Sequence, residues 1–109
     1  MKLIARPGTW LIYADSESPA RCILAMPSTG TAISTQSSCY MPTDVVKSKV
    51  LRGSLTLHPN CQVTGTIPRG TDPSESFDAW ISKGKDSLSG MVWRPGVIND
   101  GVSFSGVKL

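Results

Sequence analysis

The sequence predicts an all-β chain, an antiparallel meander of about eight short strands that closes into a small barrel or flattens into a sandwich. Three observations carry that prediction. The stretch from Leu51 to Leu109 divides into three hairpins, each with turn formers at its tip. In two of them the apolar residues fall opposite one another across the turn, which makes one face of the ribbon apolar. Ten glycines and eight prolines punctuate the chain, a mixture that suits many short strands joined by turns.

In the first half, Pro7-Gly8 introduces a strand over Thr9 to Tyr13, and Asp15 to Pro19 is a polar turn. A second strand runs from Arg21 to Met26, a turn follows at Pro27-Ser28-Thr29-Gly30, and Thr31 to Thr35 is a candidate third strand. Gln36-Ser37-Ser38 reads as a loop. Thr43 is able to cap a short helix, with Asp44 in its first turn. The β-branched valines that follow argue equally for a strand, so the chain holds at most one short helix.

The second half is patterned more strongly. Leu51–Leu57 and Cys61–Ile67 pair around a loop of His58, Pro59 and Asn60, which sets Leu57 against Cys61, Leu55 against Val63, Gly53 against Gly65 and Leu51 against Ile67. The opposite face is polar, with Arg52, Ser54, Thr56, Gln62, Thr64 and Thr66. Asn60 ends the loop because asparagine tolerates the left-handed conformation required there. Phe77–Lys83 and Asp86–Val92 pair around Gly84-Lys85, which puts Ile81 against Leu88, Ala79 against Gly90 and Phe77 against Val92. A third hairpin turns at Asn99-Asp100-Gly101 and continues through Val102, Phe104 and Gly106. Pro95 has no N–H for a ladder and marks a break before it. Pro68 to Ser76 is polar and rich in turn formers, an exposed loop able to carry function.

A sheet with one apolar face must cover that face. With so little helix available it folds onto itself. Gly53, Gly65, Gly90 and Gly106 all fall on the inward face, where glycine lets a strand bend sharply. The alternative meaning of these glycines is room for a small apolar ligand inside.

The 109 residues have the length of one domain, taken as 1–109, and are long enough for an ordinary hydrophobic core. The net charge of +3 is mild and its cations are scattered, unlike the clustered basic bias of a duplex-DNA binder. The apolar stretch before Arg6 is too short for a signal peptide, and no run approaches the roughly 18 residues of a membrane-spanning helix. The expected compartment is the reducing cytoplasm, with no membrane partner; a mature secreted form is the alternative. Of the three cysteines Cys22, Cys39 and Cys61, at least one is unpaired in a monomer. They are either small buried hydrophobes, or two of them form a disulfide where the compartment allows.

Catalytic signals are weak. His58 is the only histidine, so any Ser/His/Asp or Cys/His arrangement depends on it, yet it lies at a hairpin tip where no buried carboxylate would orient it. His58 and Cys61 with the other cysteines could compose a zinc set, but no Cys-x₂-Cys pair is present. Asp72, Glu75 and Asp78 lie in or beside a polar loop, which suits solvation better than acid catalysis. Phosphate-cradling glycine motifs are absent from the sequence. The expectation is therefore a protein that is not an enzyme and uses no cofactor and no metal.

One constellation remains. Trp80 and Met91, with Trp93 at the end, lie on the second, non-core face of one hairpin, flanked by Lys83, Lys85 and Arg94. Either another layer of the fold covers them, or they form an exposed recognition patch. Trp, Met and Arg are enriched in protein interfaces. Aromatics interleaved with bases also suit single-stranded nucleic acid.

Gly8-Thr9-Trp10, opening the first clear strand, resembles the Gly-x-Trp start of calycin-like proteins, which include lipocalins, avidins and small bacterial metalloprotease inhibitors. Val63-Thr64-Gly65-Thr66 is similar to an avidin-type strand. The resemblance covers about seven residues, and more than 50 residues separate its two motifs here, whereas in avidin-like chains they lie close together. It implies a small barrel that binds something and catalyses nothing, and no ligand-contacting set carries over. The expected function is recognition of another protein, as an inhibitor or adaptor, through Trp80, Met91, Trp93 and Arg94, with Lys83, Lys85 and the Arg69–Ser76 loop beside them. A single-stranded nucleic-acid-binding barrel and a carrier of a small apolar ligand are the alternatives.

Overall fold

The computed structural model describes residues 8–15, 19–26, 33, 36–69, 72–84 and 86–109. They form nine strands: β1 (Thr9–Ala14), β2 (Ala20–Ala25), β3 (Ser38–Tyr40), β4 (Ser48–Val50), β5 (Ser54–Leu57), β6 (Gln62–Arg69), β7 (Asp72–Ile81), β8 (Ser87–Trp93) and β9 (Val102–Lys108). All belong to one antiparallel sheet in the order β4-β3-β2-β1-β9-β8-β7-β6-β5, curled into a half-barrel. The predicted all-β class holds, with one strand more than expected.

The order is a meander in which the first and last strands pair and the break falls between β4 and β5. These two edges are neighbours in sequence, joined by Leu51, Arg52 and Gly53. Gly53 makes the join. Its carbonyl accepts the Ile33 N–H at 2.9 Å, while a Cβ on it would lie 3.3 Å from Ile67 Cα and clash with the Thr66 carbonyl. Its φ of 142° belongs to the region that side chains disfavour. One bent chain segment thus runs from beside Ser37 and Ile33 to Thr66 and Ile67 and links the two edges of the sheet.

Alternation along each strand sends one set of side chains inward. Trp10 from β1, Leu24 from β2, Leu55 from β5, Val63 from β6, Ala79 and Ile81 from β7 and Leu88 from β8 meet there with Met26, Ile33 and Cys61. Phe77 and Phe104 pack against this cluster. Among the inward glycines, Gly65 lies under the Phe77 ring, where a Cβ would approach ring carbons to 2.5 and 2.7 Å. Ala79 fills the space at Gly90, and Ile12 with Leu88 fills it at Gly106. The inward glycines are therefore places of close strand approach, where backbone carbonyls of Thr66, Ser54, Asp78 and Leu11, together with these side chains, occupy the volume they leave.

Several sequence expectations are corrected. The second hairpin has the expected register, Ile81 to Leu88, Ala79 to Gly90 and Phe77 to Val92. The first is shifted by two residues: Leu57 faces Val63 and Leu55 faces Gly65. The loop is Pro59-Asn60-Cys61, closed by Cys61 N–H to the His58 carbonyl at 3.1 Å and His58 N–H to the Gln62 carbonyl at 2.8 Å. Pro59 takes the turn position its fixed φ favours, and the left-handed residue is Cys61 (φ 72°), not Asn60. The Asn60 side chain accepts the Gln62 N–H at 3.1 Å instead. A two-residue shift preserves which face is inward, so the core prediction survives.

No helix forms among the described residues. Thr43 to Val46 are turns and bends, and the β-branched alternative prevails from Ser48 onward as β4. The Lys47 ammonium donates to the carbonyls of Pro42 (3.0 Å) and Asp44 (3.2 Å) and holds the turn. Ser38 belongs to β3 rather than a loop. The expected loop from Pro68 to Ser76 is largely strand: β6 and β7 pair through Ile67–Glu75 and Arg69–Asp72. The register shifts between Ile67 and Arg69, at Pro68, the residue with no N–H to offer a ladder. This ribbon extends beyond the last paired residues of its flanking strands, Ser54 of β5 and Trp93 of β8. The expected turn at 27–30 and most of the candidate strand at 31–35 lie outside the described residues.

Cys22 and Cys39 are directly paired on β2 and β3 and form a disulfide, with Cα atoms 4.0 Å apart. Of the two readings left open for the cysteines, theirs is the disulfide, while Cys61 is buried. Among the described residues no helix is long and apolar enough to cross a membrane.

Candidate recognition surface

The outer face of β7 and β8 carries the side chains that alternation turns away from the core: Ser76, Asp78 and Trp80 on β7, and Ser87, Ser89, Met91 and Trp93 on β8. Trp80 is 49% exposed and Met91 58% exposed. Trp93 is half-buried and faces Ser76. The described residues of the first half do not lie over this face as a second layer. They continue the same sheet through β9 and β1.

Trp80 stands opposite Gln62 on one side and Ser89 on the other, and Asp78 opposite Thr64 and Met91. Asp78 and Trp80 are two residues apart on one strand face, about 7 Å. The Gln62 amide donates to Asp78 Oδ1 at 2.9 Å and fixes the half-buried carboxylate beside the indole. On the other side of Trp80, a shallow cleft of about 290 Å³ is lined by Trp80 itself, Ile81, Ser82, Ser87, Leu88 and Ser89. The centre of the patch is therefore aromatic, thioether and acidic.

The expected basic rim differs from residue to residue. Lys83 is exposed in the β7–β8 turn. Lys85 lies outside the described residues. Arg94 does not point freely at a partner: its guanidinium donates to Asp100 Oδ1 through Nε (3.2 Å) and Nη2 (2.9 Å). That bond draws the Asp100 carboxyl below its ordinary range, chiefly through the Arg94 side chain and then through its backbone N–H. Of the Arg69–Ser76 segment, Arg69 and Asp72 to Ser76 belong to the paired strands β6 and β7 rather than to a loop beside the patch.

His58 has a partner the sequence did not show. Its Nε2 lies 2.8 Å from Thr64 Oγ1, on the outer face of β5 and β6. No carboxylate contact with the ring is seen among the described residues, so the pair is a polar clip across the hairpin. No group of three or more His, Cys, Asp or Glu side chains fit to hold a metal ion occurs among the described residues.

A second outer surface escaped the sequence reading. Leu11, Ile23 and Val107 align across β1, β2 and β9, and Tyr13, Arg21 and Tyr40 across β1, β2 and β3. Tyr13 is 54% exposed, and the Arg21 guanidinium lies over the Tyr40 ring at 5.3 Å from its centroid. A mostly apolar cleft of about 380 Å³ opens beside them between Pro19 and Pro42. The signal was present in the runs Trp10-Leu11-Ile12-Tyr13 and Cys22-Ile23-Leu24. Strands apolar in both alternations have two faces with a tendency to be covered.

Set against family models, curated proteins and solved structures, this chain has no match.

Proposed function

We propose that this protein is a non-enzymatic binding protein that recognises another protein, as an inhibitor or adaptor, through the outer face of β7 and β8. The observation that carries the reading is the exposure of Trp80 and Met91 together on a sheet face that no other layer covers among the described residues. Tryptophan and methionine concentrate in interface cores, where an exposed indole gains most from being buried. The weak likeness of the Gly8-Thr9-Trp10 start to calycin-like inhibitors points the same way.

The acidic centre of the patch favours a protein over single-stranded nucleic acid. Asp78 lies between the aromatic side chains and would repel a phosphate, while Arg94 is occupied by Asp100. The close packing at the inward glycines gives little support to an interior ligand. The Cys22–Cys39 bond supports an oxidising compartment, in place of the reducing cytoplasm expected from the sequence.

The test is affinity capture from the source cells and their medium, with and without nuclease, comparing the wild type with Trp80→Ala. A protein retained after nuclease treatment and lost with Trp80→Ala supports the reading. Truncation of a central tryptophan costs about 2 kcal/mol or more, roughly 30-fold in affinity. Capture that disappears with nuclease, or survives the substitution unchanged, sinks it.

A further inference from the structure

We propose that the patch takes an arginine side chain of the partner, with the guanidinium stacked on the Trp80 indole and donating to the Asp78 carboxylate. The inference rests on the protein-recognition reading above and names the chemistry that its centre selects.

Four placements support it. Trp80 leaves about half its surface open, and tryptophan is the ring that attracts a cation most strongly. Asp78 stands two positions away on the same strand face, within reach of a guanidinium lying over the indole. The Gln62 amide donates to Asp78 Oδ1 at 2.9 Å, which orients the carboxylate on this face. Met91, directly across from Asp78, adds a polarisable side wall.

The local charge has the right sign despite the net positive charge of the chain. Thr64, Ser76, Ser89, Met91 and Gln62 surround Asp78, and none of them is cationic. Lys83 lies five residues along from Asp78, beyond the end of β7 and roughly 16 Å away along an extended chain. Arg94 is held by Asp100. Arginine is favoured over lysine because a planar guanidinium stacks on an aromatic face and donates in its own plane to a carboxylate. In isolation such a contact is weak, on the order of millimolar, and its force in a complex comes from the surrounding protein surface.

The test titrates the protein with N-acetyl-arginine amide and follows the Trp80 indole N–H by NMR, assigned with Trp80→Phe. The citrulline amide, which is neutral and nearly isosteric, is the control. The expected result is a saturable shift with the arginine probe, weakened about tenfold with citrulline and about tenfold in Asp78→Asn. Asp78→Asn keeps an oxygen for the Gln62 amide and therefore keeps the local fold. An equal response to citrulline, or an arginine response unchanged in Asp78→Asn, overturns the proposal. The captured partner separates the two readings. Loss with Trp80→Ala but full retention with Asp78→Asn overturns the arginine site and leaves the recognition surface standing. Retention with both variants overturns both.

Discussion

Arg94 and Asp100 close the β8–β9 loop through one carboxylate: Oδ1 accepts Nε and Nη2 of Arg94, and Oδ2 accepts its backbone N–H at 2.6 Å. The loop between them carries Pro95, Gly96 and Asn99, the last two with positive φ, and its side chains Val97 and Ile98 are exposed. Little apolar burial orders the loop, so the ion pair does.

The first prediction is a pH dependence local to this loop. The folded carboxyl of Asp100 titrates below its ordinary value of 3.8, because the ionised form is the one Arg94 binds. A carboxylate depressed in this way adds stability above the ordinary value and loses it as pH falls through the lower, folded value. NMR titration of the Asp100 carboxyl should give a midpoint below 3.8 in the wild type, returning toward it in Arg94→Gln. An equal midpoint in both proteins would show that the pair does not form in solution.

A second prediction concerns the disulfide. Cys22 and Cys39 are separated by 17 residues and tie β3 to β2. With β4 hanging on β3, the bond secures one end of the sheet. Closing a loop of this length stabilises a domain by roughly 3 kcal/mol in the chain-entropy model. Urea unfolding with and without reductant should differ by about that amount, and Cys22→Ala/Cys39→Ala should match the reduced protein. Under non-reducing denaturation one thiol, that of Cys61, should titrate, and it should react slowly in the native protein because it is only 4% exposed.

The third prediction tests the corner. Gly53→Ala and Gly65→Ala each place a Cβ against a backbone carbonyl, that of Thr66 and that of Ser54; Gly53→Ala does so in a backbone conformation that alanine disfavours, and Gly65→Ala meets the Phe77 ring as well. Strain and overpacking of this kind cost about 1–3 kcal/mol each. Phe77→Leu should relieve the ring contact but not the Ser54 carbonyl contact, so it should soften part of the Gly65→Ala penalty and leave that of Gly53→Ala unchanged, as double-mutant cycles from chemical denaturation would read. Equal coupling of Phe77 to both glycines would contradict the described packing.

These sites also mark how far the sequence could be read. The inward set Leu55, Val63, Ala79, Ile81 and Leu88 was legible because period-2 alternation depends only on neighbours along the chain. The outer position of Trp80 and Met91 followed from the same alternation. The register of the first hairpin was not fixed by it, since pairings two residues apart satisfy one pattern equally, and the turn preference of Pro59 decided between them. Ser38–Tyr40 escaped, and Ser48–Val50 stayed undecided between helix and strand, because three-residue strands carry too few residues to show a period. Asp72 to Ser76 looked like a loop because its composition is polar, while its strand character comes from backbone pairing with β6. The pairing of β1 with β9, by which the described strands of the first half extend the sheet instead of covering Trp80, joins residues too far apart in sequence for any local pattern to reveal.

Trp10 and Trp80 give the sharpest contrast the fold offers, and the fourth prediction rests on it. Trp10 is fully buried, and Trp80 is about half exposed on the other face of the same sheet. Trp10→Ala removes a core side chain from between β2 and β9 and should cost about 3–5 kcal/mol. Trp80→Ala should cost about 1 kcal/mol or less, since surface substitutions away from caps and networks change little. Trp10 Nε1 is buried with no hydrogen-bond partner among the described residues. Trp10→Phe therefore discards an unpaired donor along with some volume and should cost clearly less than Trp10→Ala. Thermal unfolding of the three variants would rank them Trp80→Ala, Trp10→Phe, Trp10→Ala in order of increasing loss. If Trp80→Ala unfolds as easily as Trp10→Ala, the indole is part of a core, and the recognition surface built on it does not exist.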